Sequence, residues 1–155
     1  MTDKGEIWMN LREELPEFPI TTKWLNGSWT KGQLLGTKPL LVYFWSVSCD
    51  ACKVAPPLIN KWKEKYENQF NVIAIHMPRS PEDASKSLVK STASAAGIYD
   101  SICLDHDLVL SEMYQCKLVP NFYLFDKKGR LRHRQAGERG LQMLEKRLVL
   151  LIKEI

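Results

Sequence analysis

The chain has 155 residues, of which 45% are hydrophobic and 26% charged, with 22 lysines and arginines against 18 acids for a net charge of +4. That length suits one compact domain, residues 1–155, with its own core. The mild positive balance is too weak to point to nucleic acid, and no apolar run approaches the roughly 20 residues that a membrane span needs.

The N-terminal text, "MTDKGEIWMNLREELPEF", is polar and acid-leaning, with no basic region, apolar stretch or small-residue cleavage site of a leader. The expected location is therefore cytoplasmic. In a reducing compartment the four cysteines are poor structural staples, and a Cys-x-x-Cys is expected to be catalytic or metal-binding. From Leu15 to Thr30 the text is irregular, with Pro16, Pro19 and an Asn26-Gly27 turn signal.

Pro39 to Ser46 is a continuous apolar, aromatic-rich run, the pattern of a strand buried on both faces. A helix is expected from about Cys52, with Leu58, Trp62 and Tyr66 at four-residue spacing. "NVIAIHM" is a second buried strand, and the pair with its helix forms a right-handed parallel βαβ unit. Ser80 to Ala96 reads as one helix with Pro81 at its first position and acids in its first turn. "SICL" is a short strand and "DHDLVLSEMY" a short capped helix, while "NFYLF" and "RLRHRQA" flank a "DKKG" hairpin turn. Leu141, Leu144, Leu148, Leu151 and Ile155 form the stripe of a C-terminal helix. This order predicts an α/β fold with a mixed central sheet flanked by helices.

Chemistry concentrates at "SCDAC", where Cys49 and Cys52 stand between a strand and a helix. A helix N-terminus presents unpaired N–H groups and partial positive charge, both of which stabilise a thiolate. Cys49 is thus the candidate nucleophile, and Cys52, two residues beyond, the thiol that resolves a mixed disulfide. A zinc or copper module built on the same pair is the alternative. Zinc wants two further ligands, usually a second close pair. Cys103 and Cys116 instead stand far apart in apolar, strand-like text and read as buried free thiols. Pro120 opens the "NFYLF" strand. It is either a plain strand-opening proline or a cis-proline turn that holds the chain against the dithiol.

With strand–"FWSVSCDAC"–helix at one end and "VPNFYLFDKKGRL" at the other, the chain resembles the thioredoxin superfamily. Within it, the chain is similar to the thiol–disulfide oxidoreductases that include membrane-tethered cytochrome-maturation reductases, and most of all to a soluble cytoplasmic type of Gram-positive bacilli. "WLNG", "FWSVSC", "HMPRS", "LRHRQAG" and "MLEKR", spread from Trp24 to Arg147, carry the likeness. The resemblance implies a thioredoxin fold with an N-terminal extension and an extra inserted helix at Ser80 to Ala96. It further implies a redox-active Cys49–Cys52 disulfide with Trp45 beside it, a cis Val119-Pro120 step whose preceding backbone pairs with bound substrate, so that Trp45, Val119 and Pro120 are the expected substrate-binding residues, and a Pro57 that kinks the active-site helix. No bound cofactor is implied. The implied partners are protein disulfides and an external reductant such as a thioredoxin reductase system, with no nucleic acid and no membrane.

The departures bear on mechanism. Ser48 stands where thioredoxins have Trp, and Asp50-Ala51 replaces Gly-Pro between the cysteines. Tyr43 takes the place of thioredoxin's buried Asp, and Ala55 that of the Glu found in the cytochrome-maturation relatives. The carboxylate that would deprotonate the resolving thiol is missing at both positions, leaving Asp50 and His76 as weak substitutes. Asp50 beside Cys49 disfavours the thiolate. It should make the couple more reducing, nearer about −270 mV than about −120 mV, so Asp50 and Ala51 are the candidate redox-tuning residues. A thiol peroxidase reading fails because Val42 stands where that pattern has proline. Arg130, Arg132 and Arg134 share a strand face, read here as a charge-protected edge rather than a nucleic-acid patch.

Overall fold

The computed structural model describes residues 9–154. The first eight residues, part of the N-terminal reading, and Ile155 of the C-terminal stripe lie outside the described residues. Among the described residues there are six strands: β1 Lys23–Leu25, β2 Leu40–Trp45, β3 Asn71–His76, β4 Ser101–Leu104, β5 Asn121–Phe125 and β6 Leu131–Ala136. Five helices accompany them: α1 Lys31–Leu34, α2 Ala55–Lys65, α3 Lys86–Ala96, α4 Val109–Met113 and α5 Leu141–Lys153. The sheet runs β1-β4-β3-β2-β5-β6. β2, β3 and β4 pair in parallel, while β1, β5 and β6 join antiparallel. This mixed sheet with helices is the architecture expected from the sequence.

All six residues of β2 are buried. Leu41, Tyr43 and Trp45 face one core with α2, α3 and α5, and Leu40, Val42 and Phe44 face a second with α1, α4 and the segment around Met9 and Leu15. Alternation along a strand places successive side chains on opposite sheet faces, so a two-faced core demands an unbroken apolar run. The last inward residue on the first face, Trp45, belongs to the same cluster as Cys49 and Cys52. Burying each such aromatic contributes roughly 1.5–3 kcal/mol, which anchors the strand end from which the cysteine loop springs.

One element, β1, falls within the stretch expected to be irregular, and α1 begins directly after it. β1 is only three residues, with an exposed Lys23, so it shows no usable alternation; it is held by its register with β4, Trp24 opposite Cys103. α1 opens with a capping box, in which the Thr30 hydroxyl accepts from the Gln33 N–H and the Gln33 side chain accepts from the Thr30 N–H.

The helix expected from Ser80 to Ala96 is two pieces. A 3₁₀ turn at Pro81–Ala84 stops at Ser85, whose extended backbone and hydroxyl cap α3 at the Leu88 N–H. The active-site helix also begins later than expected. A 3₁₀ turn covers Asp50–Lys53 and α2 starts at Ala55, so Pro56 and Pro57 occupy its first turn. There a missing N–H costs nothing, and Pro57 is a helix starter rather than a kink. In the "DKKG" turn Gly129 has φ +83°, and a Cβ there would stand 2.6 Å from Leu35 Cδ2. Both the left-handed backbone and the close approach require glycine.

Candidate functional site: a dithiol on a braced loop

The sequence Ser46-Val47-Ser48-Cys49 leaves the end of β2 as a turn, with the Cys49 N–H donating to Ser46 O at 3.1 Å. Cys49 and Cys52 form a disulfide with Cα atoms 5.4 Å apart, and both residues are buried. Cys49 occupies the cap position of the 3₁₀ turn, where its Sγ accepts the Cys52 N–H at 3.2 Å. This is the thiolate-stabilising donor expected of a helical N-terminus, supplied by one tight turn.

The Val119–Pro120 peptide is cis. Val119 O lies 3.8 Å from Cys49 Sγ; a reduced Cys49 thiol has a proton to offer it, the disulfide has none. Pro120 is buried and Val119 partly exposed. Trp45 is buried in the core cluster that also holds Cys49 and Cys52. It is 2% exposed, with its ring edge-on to His76 at 4.9 Å between centroids. Ala51 is partly buried against the same core. Asp50 points fully into solvent, 3.5 Å from Lys53, so its charge reaches Cys49 through a screened medium.

Neither substitute for the missing carboxylate is placed to act. His76 is completely buried, its Nε2 accepts the Val47 N–H at 3.2 Å, and its Nδ1 has no partner among the described residues. Burial pushes its pKa down to about 4, against a smaller lift from the Asp83 carboxylate. No hydrogen bond joins it to either cysteine among the described residues. At Tyr43, burial raises the phenol far above its ordinary value, so it stays protonated.

A carboxylate does reach this loop, from a place the sequence did not suggest. Asp83, in the Pro81–Ala84 turn, is 4% exposed. Its Oδ2 accepts from Ser48 Oγ at 2.7 Å, Arg79 N at 2.9 Å and Ser46 Oγ at 3.1 Å. These bonds hold its pKa below the usual carboxylate range although desolvation opposes them. Arg79 in turn donates from Nε to Ser48 Oγ at 3.0 Å and from an Nη to Ser48 O. Read as text, "SPED" is an acidic helix start; only its 35-residue reach back to Ser48 reveals a brace.

The remaining candidates have structural uses. Asp105 accepts from Leu110 N at 2.9 Å and Ser111 N at 2.8 Å, capping α4 as expected. Cys103 and Cys116 are free and buried; burial raises both thiols, Cys116 to about 12. Among the described residues no three His, Cys, Asp or Glu side chains converge as a metal ligand set. Arg132 bonds Asp126 and both Glu154 oxygens at 2.8–3.1 Å, and Arg130 pairs with Glu14 at 3.5 Å, so these edge arginines are neutralised in place. No helix among the described residues is long and apolar enough to cross a membrane.

Comparison with known proteins agrees with this geometry. The family model described as thioredoxin-like matches residues 36–131. Thiol-disulfide oxidoreductase YkuV of Bacillus subtilis is 45% identical over 146 residues, 94% of this chain and 99% of that protein. Thioredoxin-like protein SkfH of the same species is 26% identical, across 90% of this chain and 98% of that protein. The solution structure of a thioredoxin-like protein in the oxidized form superimposes with a TM-score of 0.84 at 45% identity, covering 93% of this chain and 97% of that one. A Cys-x-x-Cys disulfide at the end of a central strand, on this sheet and with these relatives, leaves one assignment: the chain belongs to the thioredoxin-like family of thiol–disulfide oxidoreductases.

Proposed function

We propose that the protein reduces disulfides of other polypeptides in the cytosol, with Cys49 as nucleophile and Cys52 as resolving thiol. The observation that carries this reading is the setting of Cys49 Sγ, which receives the Cys52 N–H at 3.2 Å and stands 3.8 Å from Val119 O. The first contact favours a thiolate; the second marks where an extended substrate segment would lie. Two further thiols, Cys103 and Cys116, remain free and buried, a use of cysteine that suits a reducing compartment.

In this mechanism the Cys49 thiolate attacks one sulfur of a substrate disulfide. The substrate S–S bond breaks, its other sulfur leaves as thiolate, and a mixed disulfide forms through Cys49. Cys52 then loses its proton to solvent and attacks Cys49 Sγ, releasing the second substrate thiolate and closing the Cys49–Cys52 disulfide. Two electrons pass from the dithiol to the substrate, and an external reductant such as a thioredoxin reductase system returns them. Val119 offers its backbone to the substrate, Pro120 fixes that backbone's course, and Trp45 supports the dithiol from below. Asp50 and Ala51 tune the couple.

The test is a redox titration of the purified protein in dithiothreitol or glutathione buffers, read by tryptophan fluorescence and paired with a metal assay. A reversible two-electron transition that Cys49→Ser abolishes, and a mixed disulfide that accumulates in Cys52→Ser, are the expected results. Stoichiometric zinc or copper with no reversible couple would make the cysteines a ligand pair and overturn the proposal.

A further inference from the structure

On the sheet face opposite α2, a cleft of about 820 Å³ opens beside α4. One wall is the segment after β3, with Met77, Pro78 and Arg79; the other is α4 and the chain behind it, with Leu108, Glu112 and Lys117. Each wall leads to an atom beside Cys49. Arg79 is bonded to Ser48, the residue before Cys49, and Lys117 runs through an exposed Leu118 to Val119, whose carbonyl stands 3.8 Å from Cys49 Sγ. Both walls are thus joined to residues that stand next to Cys49.

The charge of the cleft is unbalanced. Among the described residues no carboxylate oxygen lies within 4.0 Å of the side-chain nitrogens of Arg79 or Lys117, whereas Arg130 and Arg132 are both paired. Among the described residues Glu112 is the one carboxylate on the lining, and it forms no ion pair with either cation. Asp83 lies behind the loop and is occupied by Ser46, Ser48 and the Arg79 backbone; Asp50 has Lys53. Arg79 is also fixed. Two of its N–H groups are held by Ser48, itself held by Asp83, and a guanidinium has five in a planar fork, so donors remain for a further acceptor. A cation already held in place loses little freedom on binding, and Arg recognises carboxylates through paired N–H donors.

We infer that this cleft selects substrates whose disulfide is flanked by an acidic side chain, with Arg79 the specificity-determining contact, Lys117 a second charge, and Met77 and Leu108 the apolar surface between. This rests on the reading of Cys49 as the nucleophile toward polypeptide disulfides and names which polypeptides it prefers.

Disulfide-linked peptides identical except for Glu, Gln or Lys beside the cysteine test it directly, by kcat/KM at low and high salt. The wild-type protein should prefer the Glu peptide over the Gln peptide by about five-fold at low ionic strength, mainly through KM, with the preference shrinking as salt screens it. Arg79→Gln should bring the ratio toward one, and Arg79→Glu should favour the Lys peptide. Lys61→Gln, which removes a cation from α2 on the opposite face, should leave the ratio at its wild-type value. Equal rates for the three peptides on the wild-type protein would overturn the inference. So would a preference that survives in Arg79→Gln/Lys117→Gln, a change in ratio with Lys61→Gln, or an Arg79→Gln that slows all three peptides and leaves their ratio unchanged. Failure of the reductase reading would look different: no peptide of any charge would be reduced.

Discussion

Acidification should destabilise this fold through one buried histidine. His76 is fully enclosed, bonded through Nε2 to the Val47 N–H and covered by the Trp45 ring. Burial brings its pKa from the ordinary 6.5 to about 4; Asp83 opposes that shift and His106 adds to it. The unfolded chain therefore takes up a proton first, and between about pH 6.5 and 4 it binds more protons than the folded state. Stability is full above that window and falls as pH drops through it. At about 1.36 kcal/mol per pK unit the gap is worth up to about 3 kcal/mol, most of it spent by pH 4.5. With a urea m-value of about 2 kcal/mol/M, the midpoint should fall by about 1 M between pH 7 and 4.5 from this group alone. His76→Gln keeps an acceptor near Val47 but cannot titrate. Carboxylates that titrate at the acid end, such as Asp126 and Glu145, contribute to both proteins and cancel in the difference. The variant's pH dependence should be flatter by that amount in urea melts. An identical slope in both proteins, or an NMR titration of His76 near pH 6.5, would refute the reasoning.

Two further outcomes follow from the loop. Asp83→Ala leaves the Ser46 and Ser48 hydroxyls and the Arg79 N–H without their acceptor. Hydrogen bonds to a charged group are worth roughly 1.5–3 kcal/mol each; because Ser48 is exposed and can turn to water, the total expected loss is about 2–3 kcal/mol, read in urea melts at pH 7, and a loss under about 0.5 kcal/mol would show that the brace is idle. Asp50→Asn should move the couple only slightly toward oxidising, well under the about 30 mV that marks a tenfold change in equilibrium constant, because Asp50 is fully exposed with Lys53 as counter-ion. A redox titration giving a larger shift, or one toward more reducing, would contradict this account.

What could be read from the text was what depends on near neighbours. The unbroken run Leu40–Trp45 announced a central strand because a two-faced core tolerates no polar break. The "DKKG" hairpin and the Cys-x-x-Cys at a strand–helix junction were equally local. The boundaries that failed were those where one hydroxyl or ring decided: Ser85 stopping and restarting a helix, and Pro56-Pro57 sitting in a first turn. β1 is defined by its partner β4 and carries no pattern of its own. The brace was the least legible. Asp83 and Ser48 are ordinary residues in ordinary text, and their bond spans 35 positions.

That brace changes what holds Cys49, the proposed nucleophile, in place. In the sequence reading, Cys49 depended on the helix behind it. In the structure that helix begins only at Ala55, and among the described residues one N–H, from Cys52, reaches Sγ. The loop before Cys49 is held instead from β3 and the segment after it: His76 grips Val47, Asp83 grips Ser46 and Ser48, and Arg79 grips Ser48. Three consecutive residues thus have side-chain partners from positions 76–83, a stretch that also forms one wall of the cleft. A substitution there should alter both the rigidity of the nucleophile and the fit of the substrate, whereas Tyr43 and Ala55, which occupy the places of the missing carboxylates, are fully buried apolar packing. Among the described residues no carboxylate or imidazole is hydrogen-bonded to Cys52. In the mechanism proposed above, the resolving proton then passes to solvent rather than to a neighbouring side chain.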